Sequence, residues 1–285
     1  MNEVDVSAWV EQADVPQRRF REAVHIILDA IGQSRSLQTK MVMKGGLLMA
    51  IRYASTRFTR DIDFSTAGVY REAQAQELVQ EFERQLVLAV DRLPYATTCK
   101  LQSHQVQPKG ENKTHQSLKL KVGYADATKP AAMQRLEAGQ SPLIVEIDYS
   151  YNEAVVDVEV LELDGGVTIQ SYSLHNVVAE KLRSLLQQPI RRRNRRQDVY
   201  DVHLLLQSSA ALSGQDLQSI HAILLQSCRS KQIEPTKDSM DDAQVILLAR
   251  TGYESLVDDI EGDLPPFDDA MAAVQALYRS LPWKV

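Results

Sequence analysis

Apolar residues along this chain fall into three patterns: helical spacing, strand alternation and short unbroken runs. Phe20, Val24, Ile27, Leu28 and Ile31 lie at helical spacing behind Pro16, which predicts an amphipathic helix over residues 16–32. The run at 40–44 predicts a short buried strand that stops at a pair of glycines, and Leu47, Leu48, Ile51 and Tyr53 then suit a short helix. Residues 61–65 read as a second strand. Residues 71–93 read as a long helix with Leu78, Val79, Phe82, Leu86 and Val90 on its inner face.

A β-rich stretch follows. Residues 97–106 and 116–123 read as two strands around the polar turn Pro108-Lys109-Gly110-Glu111-Asn112. Leu118, Leu120 and Val122 alternate with Lys119 and Lys121, the period of a half-buried strand. Residues 143–149 form a further strand whose Glu146 and Asp148, two apart, share a face. Strand-like runs at 155–162 and 167–173 flank the turn Asp164-Gly165-Gly166. From His175 the pattern is helical, with candidate helices at 175–187, 197–207, 214–228, 238–248 and 267–280. The expected organisation is a mixed α/β (α+β) part over residues 1–174 and an all-helical part over 175–285, with no internal repeat.

Composition changes this picture little. A chain of 285 residues with 44% hydrophobic and 25% charged residues reads as an ordinary globular protein. No apolar run is long enough to span a bilayer, and the first residues are acidic rather than signal-like, so no membrane partner is expected. Cys99 and Cys228 lie far apart and form no metal-ligand or redox motif, which fits a reduced, cytoplasmic protein. The six histidines show no zinc-ligand spacing, and no nucleophilic triad or Walker or Rossmann loop is visible. A formal charge of −6 argues against a broad nucleic-acid face. Positive charge is nonetheless concentrated at Arg191, Arg192, Arg193, Arg195 and Arg196.

Chemistry concentrates in Met43-Lys44-Gly45-Gly46 and in Thr59-Arg60-Asp61-Ile62-Asp63-Phe64. A di-glycine at the mouth of a helix offers bare backbone N–H groups to a phosphate. Asp61 and Asp63, two apart on a strand, project from one face within reach of a shared Mg²⁺ or Mn²⁺. Glycine at a strand-to-helix turn, or an acid at a strand end, is commonplace by itself. In the order strand, Gly-Gly, helix, loop, Asp-x-Asp, they point to phosphoryl or nucleotidyl transfer with an NTP as co-substrate. Asp148 is the candidate third carboxylate; Glu146 fits the same face, and the shorter side chain is preferred because it is easier to hold rigidly. Lys181 is a candidate triphosphate contact, with Arg183 as the alternative and a solvated ion pair as the plain reading. Arg57 and Arg60 either bind phosphate or make structural salt bridges. Asp198 suits a helix cap, and Asp201 suits pairing with an arginine. The arginine run reads as a loop held open after Pro189, a candidate RNA-backbone or triphosphate contact or simply a solvated charge run.

The stretch MVMKGGLLMAIRYASTRFTRDIDFS closely resembles the first motif of AbiEii/AbiGii-type nucleotidyltransferase toxins, in the DNA polymerase β-like superfamily. NVVAEKLRSLLQQPIRRRNRRQDVYDVHLLL resembles their second diagnostic block, and the resemblance spans roughly residues 15–207. It implies a polymerase β-like minimal nucleotidyltransferase core, a mixed sheet with flanking helices, and an all-helical domain completing the active-site cleft. It implies metal binding by Asp61 and Asp63, nucleotide contact by Lys181, a need for Asp198, and a further role for Asp201. It also implies a toxin of a type IV toxin–antitoxin or abortive-infection system with a cognate antitoxin, adding nucleotides to the 3′ end of tRNA and so blocking translation. Where much of the superfamily has Gly-Ser this chain has Gly45-Gly46, so backbone N–H groups must hold phosphate without a hydroxyl. A small-molecule acceptor such as an aminoglycoside, a protein hydroxyl, or a binding module without turnover are the competing expectations.

Overall fold

The computed structural model describes residues 2–110, 113, 115–208 and 211–283; Glu111 and Asn112 of the expected turn lie outside the described residues. The chain divides into two compact units, Met1–Ile51 with Thr59–Ser171, and Arg52–Phe58 with Tyr172–Val285.

The first unit contains β1 (Asn2–Val4), α1 (Val6–Glu11), α2 (Val15–Gly32), α3 (Arg35–Gln38), β2 (Val42–Lys44), α4 (Gly45–Arg52), β3 (Asp61–Ser65) and α5 (Glu72–Arg92). There follow β4 (Thr97–Gln107), β5 (Ser117–Asp126), α6 (Pro130–Glu137), β6 (Ile144–Ser150), β7 (Val158–Leu163) and β8 (Thr168–Tyr172). The strands make one eight-stranded mixed sheet in the order β1-β7-β8-β2-β3-β6-β5-β4. β3 lies near its middle, antiparallel to β2 and parallel to β6.

Helix α2 is buried well beyond the expected stripe. Phe20, Val24, Ile27, Leu28 and Ile31 are buried as their spacing predicts, and so are Ala23, Ile26, Ala30, His25 and Asp29. It packs on α5 and also lies against β4 and β5, and each fully buried Ile or Leu contributes about 1.5–3 kcal/mol. The polar groups on this helix are paired: His25 Nδ1 meets the Tyr95 hydroxyl at 2.8 Å, and Arg92 donates to Asp29. On α5 the inner face is Leu78, Val79, Phe82, Leu86 and Ala89; the expected Val90 is half-exposed because the stripe drifts by one residue at that end. Helix α6 was not legible from periodicity, being only eight residues long. Tyr53, expected in the short helix, falls past the end of α4.

The second unit is helical: α7 (Leu174–Arg191), α8 (Arg196–Ser208), α9 (Gly214–Ser230), α10 (Ala243–Arg250) and α11 (Phe267–Ser280). Short 3-10 turns at Ser239–Asp241 and Tyr253–Asp259 flank α10, so the helix expected at 238–248 begins later. The Asp242 carboxylate caps it by accepting from the Gln244 and Val245 amides.

Helix α7 corrects a sequence expectation. The chain does not open into a loop after Pro189 but stays helical to Arg191. A proline inside a helix removes the N–H that would bond the carbonyl four residues back. Here that carbonyl belongs to Leu185, and the buried Gln188 side chain donates to it instead, at 3.1 Å. Gln188 Oε1 also accepts from the Arg195 amide at 2.7 Å, so one side chain mends the helix and fixes the chain that leaves it. Arg192 ends the helix in the left-handed region at φ 49°, leaving only residues 192–195 between α7 and α8.

Candidate active site

In the first unit the site is built by strand register. Lys44 on β2 pairs with Asp63 on β3, Asp63 with Asp148 on β6, and Asp148 with Lys119 on β5. One step along the strands, Asp61 pairs with Glu146, and Glu146 with Lys121. Residues paired across neighbouring strands share a face. Asp61, Asp63, Glu146 and Asp148 therefore lie on the same side of the sheet, while Ile62, Phe64, Val145, Ile147 and Tyr149 are buried from the other side.

Gly45 and Gly46 open α4 directly after β2. Gly45 adopts φ +75°, and a Cβ built on it would overlap Asp63 Oδ2 and come within 2.9 Å of Asp63 Cβ. Only glycine permits both the dihedral and the approach. The first turn of the helix and the Asp63 carboxylate are thus held together by an absent side chain.

The acids are individually engaged. The Thr59 hydroxyl donates to Asp61 Oδ1 at 2.6 Å. Lys119 Nζ sits 3.4 Å from Asp148 Oδ2, and Lys121 Nζ 3.0 Å from Glu146 Oε1. Asp148 Oδ1 is buried without a hydrogen-bond partner. Glu146 is the more exposed of the two β6 acids, at 57% against 33% for Asp148, and it stands opposite Asp61 rather than Asp63. Arg60 is exposed just before β3.

The three carboxylates Asp61, Asp63 and Asp148 share a face but do not close into a cage. Among the described residues no group of three or more His, Cys, Asp or Glu side chains is gathered to hold a metal ion. Two of the three have other partners: Asp61 accepts from Thr59, and Asp148 pairs with Lys119. A hard divalent cation nonetheless fits here, because Mg²⁺ takes one or two protein carboxylates and completes its shell with phosphate oxygens and water. Asp61 and Asp63 would supply that pair, and the unpartnered buried oxygen of Asp148 is a third oxygen donor on the same face.

The second unit holds a buried charge quartet. Lys181 on α7 donates to Asp198 Oδ1 at 3.1 Å and to Asp201 Oδ2 at 2.5 Å, both on α8. Arg57 grips the same Asp201 with Nε and Nη2, each at 3.2 Å. The segment carrying Arg57 is anchored in this unit: the Phe58 amide donates to Asp259 O at 2.7 Å, and Arg57 bridges to Ile260. Burial works against charge on Lys181, but Asp201 and Asp198 outweigh it and raise the pKa above the ordinary 10.5. Burial likewise works against charge on Asp201, and Lys181 with Arg57 outweighs it, so the carboxyl titrates below the ordinary 3.8. Asp201 is fully buried, with one oxygen accepting from Arg57 Nε and the other from both Lys181 and Arg57 Nη2.

The arginines fall on different elements. Arg191 ends α7, Arg192, Arg193 and Arg195 lie in the connection, and Arg196 begins α8; the first three in sequence are exposed, the last two half-buried. Sequence reasoning missed the role of Lys119 and Lys121. Their alternation was visible, but strand parity alone does not say which acids stand opposite.

Structural likeness bears on the fold. The fold is similar to MenT4, a nucleotidyltransferase toxin from Mycobacterium tuberculosis, at TM-score 0.52 and 13% identity, covering 96% of this chain and 87% of that one. It is also similar to JHP933 from Helicobacter pylori, at TM-score 0.55 and 13% identity, covering 95% and 93% of the two chains. At such identity the likeness is one of fold. Sequence gives the family: the profile of the AbiEii nucleotidyl transferase toxins of type IV toxin–antitoxin systems matches residues 27–273, and the chain belongs to that family. It is a nucleotidyltransferase. No curated protein matches it in sequence. Among the described residues no helix is long and apolar enough to cross a membrane.

Two outcomes follow from this geometry. Gly45→Ala should cost about 1–3 kcal/mol in urea unfolding, from a strained backbone and a displaced Asp63, and should lower nucleotidyl transfer by at least tenfold, to about a tenth or less. Lys181→Met should cost about 3–5 kcal/mol, because it strands buried carboxylates. That difference from wild type should be flat between about pH 5 and 10. It should shrink as pH falls below 3.8, where Asp201 takes up its proton, and as pH rises past 10.5, where Lys181 gives its proton up. Urea titrations across that range check it.

Proposed function

We propose that this toxin transfers a nucleoside monophosphate from an NTP to the 3′ end of tRNA, and that translation stops because the modified acceptor can no longer be charged. The observation that carries the reading is the register that sets Asp63 between the Gly45 turn and Asp148. Backbone N–H groups at the start of α4 face outer phosphates, while the neighbouring carboxylates suit the divalent cation that accompanies them. When bound, that cation supplies charge neutralisation at the reacting phosphorus and at the leaving pyrophosphate.

The chain's own groups divide the remaining work. Asp61 and Asp63 hold the metal, and Asp148, beside them, accepts the proton of the attacking hydroxyl. Lys44 and the exposed Arg60 flank these acids in sequence and register and meet phosphate oxygens. Lys181 uses two of its three ammonium protons on Asp198 and Asp201; the third is left for the nucleotide. Arg57 acts through Asp201 as a positioning residue rather than as a direct phosphate ligand. Exposed Arg191, Arg192 and Arg193, with Arg195 and Arg196 beside them, offer bidentate donors to an RNA backbone in an otherwise acidic protein. Neutralisation by a cognate antitoxin fits the family.

Incubation of the protein with total tRNA and each α-³²P-NTP in turn, with Mg²⁺ or Mn²⁺, tests this reading. Label should enter tRNA with wild type, and Asp61→Ala or Asp63→Ala should reduce it by at least about a hundredfold. The same substitutions should relieve growth arrest on expression. Label in a small molecule or a protein, with none in tRNA, would move the acceptor and discard the tRNA assignment.

A further inference from the structure

The row Lys44, Asp63, Asp148, Lys119 crosses four adjacent strands in register. Its two acids stand on directly paired positions of neighbouring strands, a spacing of about 5 Å at which like charges repel. Its outer members are both lysines. On the β5 side the contact is explicit: Lys119 Nζ lies 3.4 Å from Asp148 Oδ2, while the other oxygen of Asp148 is buried and has no hydrogen-bond partner. Lys119 is thus the charged partner that Asp148 already has on this face, where no carboxylate cluster is gathered among the described residues.

We propose that Lys119 is a resident counter-ion that occupies the third carboxylate and is displaced when a divalent cation binds, so that it sets how tightly the site holds metal without nucleotide. The inference rests on the metal reading of Asp61 and Asp63 given above and adds to it a positioning residue that acts through Asp148. A cation arriving between Asp63 and Asp148 finds Asp148 Oδ1 unpartnered, but the charge of that carboxylate is already shared with Lys119 through Oδ2, and it gains the whole acid only as the Lys119 pair gives way. Both partners of that pair are part-exposed, 41% for Lys119 and 33% for Asp148, so solvent screens it and its competition is modest. A lysine so released carries a full charge beside incoming phosphate oxygens, which would favour metal and NTP arriving together over metal alone.

Calorimetric or EPR titration of the full chain with Mn²⁺, without nucleotide, measures this directly. Lys119→Met should tighten Mn²⁺ binding about two- to fivefold, the range set by a part-exposed ion pair. Lys119→Arg should bind like wild type. Lys121→Met removes an equal charge from the next pair, on Glu146, and should change the affinity by less than half as much. In Asp148→Asn, adding Lys119→Met should have no further effect, since the acid for which it competes is gone. Thermal melts establish that each variant is folded. Unchanged or weaker binding by folded Lys119→Met, or an equal effect from Lys121→Met, overturns the proposal; the latter would mean only general charge. Absence of any saturable Mn²⁺ binding by wild type would instead take down the metal assignment itself, and this inference with it.

Discussion

The arrangement depends on one close approach: the backbone at Gly45 lies where a side chain would collide with the Asp63 carboxylate. That approach sets a helix start directly against a strand acid. It needs a residue at φ +75° with no Cβ, immediately after a strand whose last member, Lys44, is already in register with Asp63. Everything else on the carboxylate face follows from register. With β3 parallel to β6 in the observed register, Asp148 stands beside Asp63 and Glu146 beside Asp61.

The two units solve the problem of crowded charge differently. On the sheet, acids are concentrated on one face and part-exposed lysines on β5 offset them, an arrangement that solvent and an arriving cation can rearrange. Among the helices, Lys181, Asp198, Asp201 and Arg57 form a buried quartet of two cations and two anions. There each charge depends on the others for solvation, so the geometry is fixed and the loss of any member is costly. The first arrangement suits a site that must take up a metal and a triphosphate. The second suits a lysine that must stay charged and in one place.

Local structure was largely legible in the sequence, and non-local pairing was not. Alternation placed β3 and gave Asp61 and Asp63 a common face, because period two is a property of the strand alone. That Asp148 stands opposite Asp63, with Lys119 beyond it, depends on which strands become neighbours, and periodicity does not carry that. Pro189 argued for a break that does not occur, since its cost is met by the Gln188 side chain at the Leu185 carbonyl. The Arg57–Asp201 pair joins positions 144 residues apart. Pairing of Asp201 with an arginine was an open option in the sequence, but its partner and its complete burial were not. Membership of the AbiEii family rests on a match over residues 27–273, a range that contains both of the motifs legible in the sequence.

The proposed chemistry requires a divalent cation on the Asp61–Asp63 face, against the Gly45 turn. A crystal of the protein grown with Mn²⁺ and a non-hydrolysable NTP tests it by anomalous scattering. A manganese peak is expected about 2.1 Å from carboxylate oxygens of Asp61 and Asp63, with phosphate oxygens completing its shell and the outer phosphates on the Gly45 and Gly46 amides. A nucleotide bound with its metal on other residues, leaving Asp61 and Asp63 uncoordinated, would contradict it.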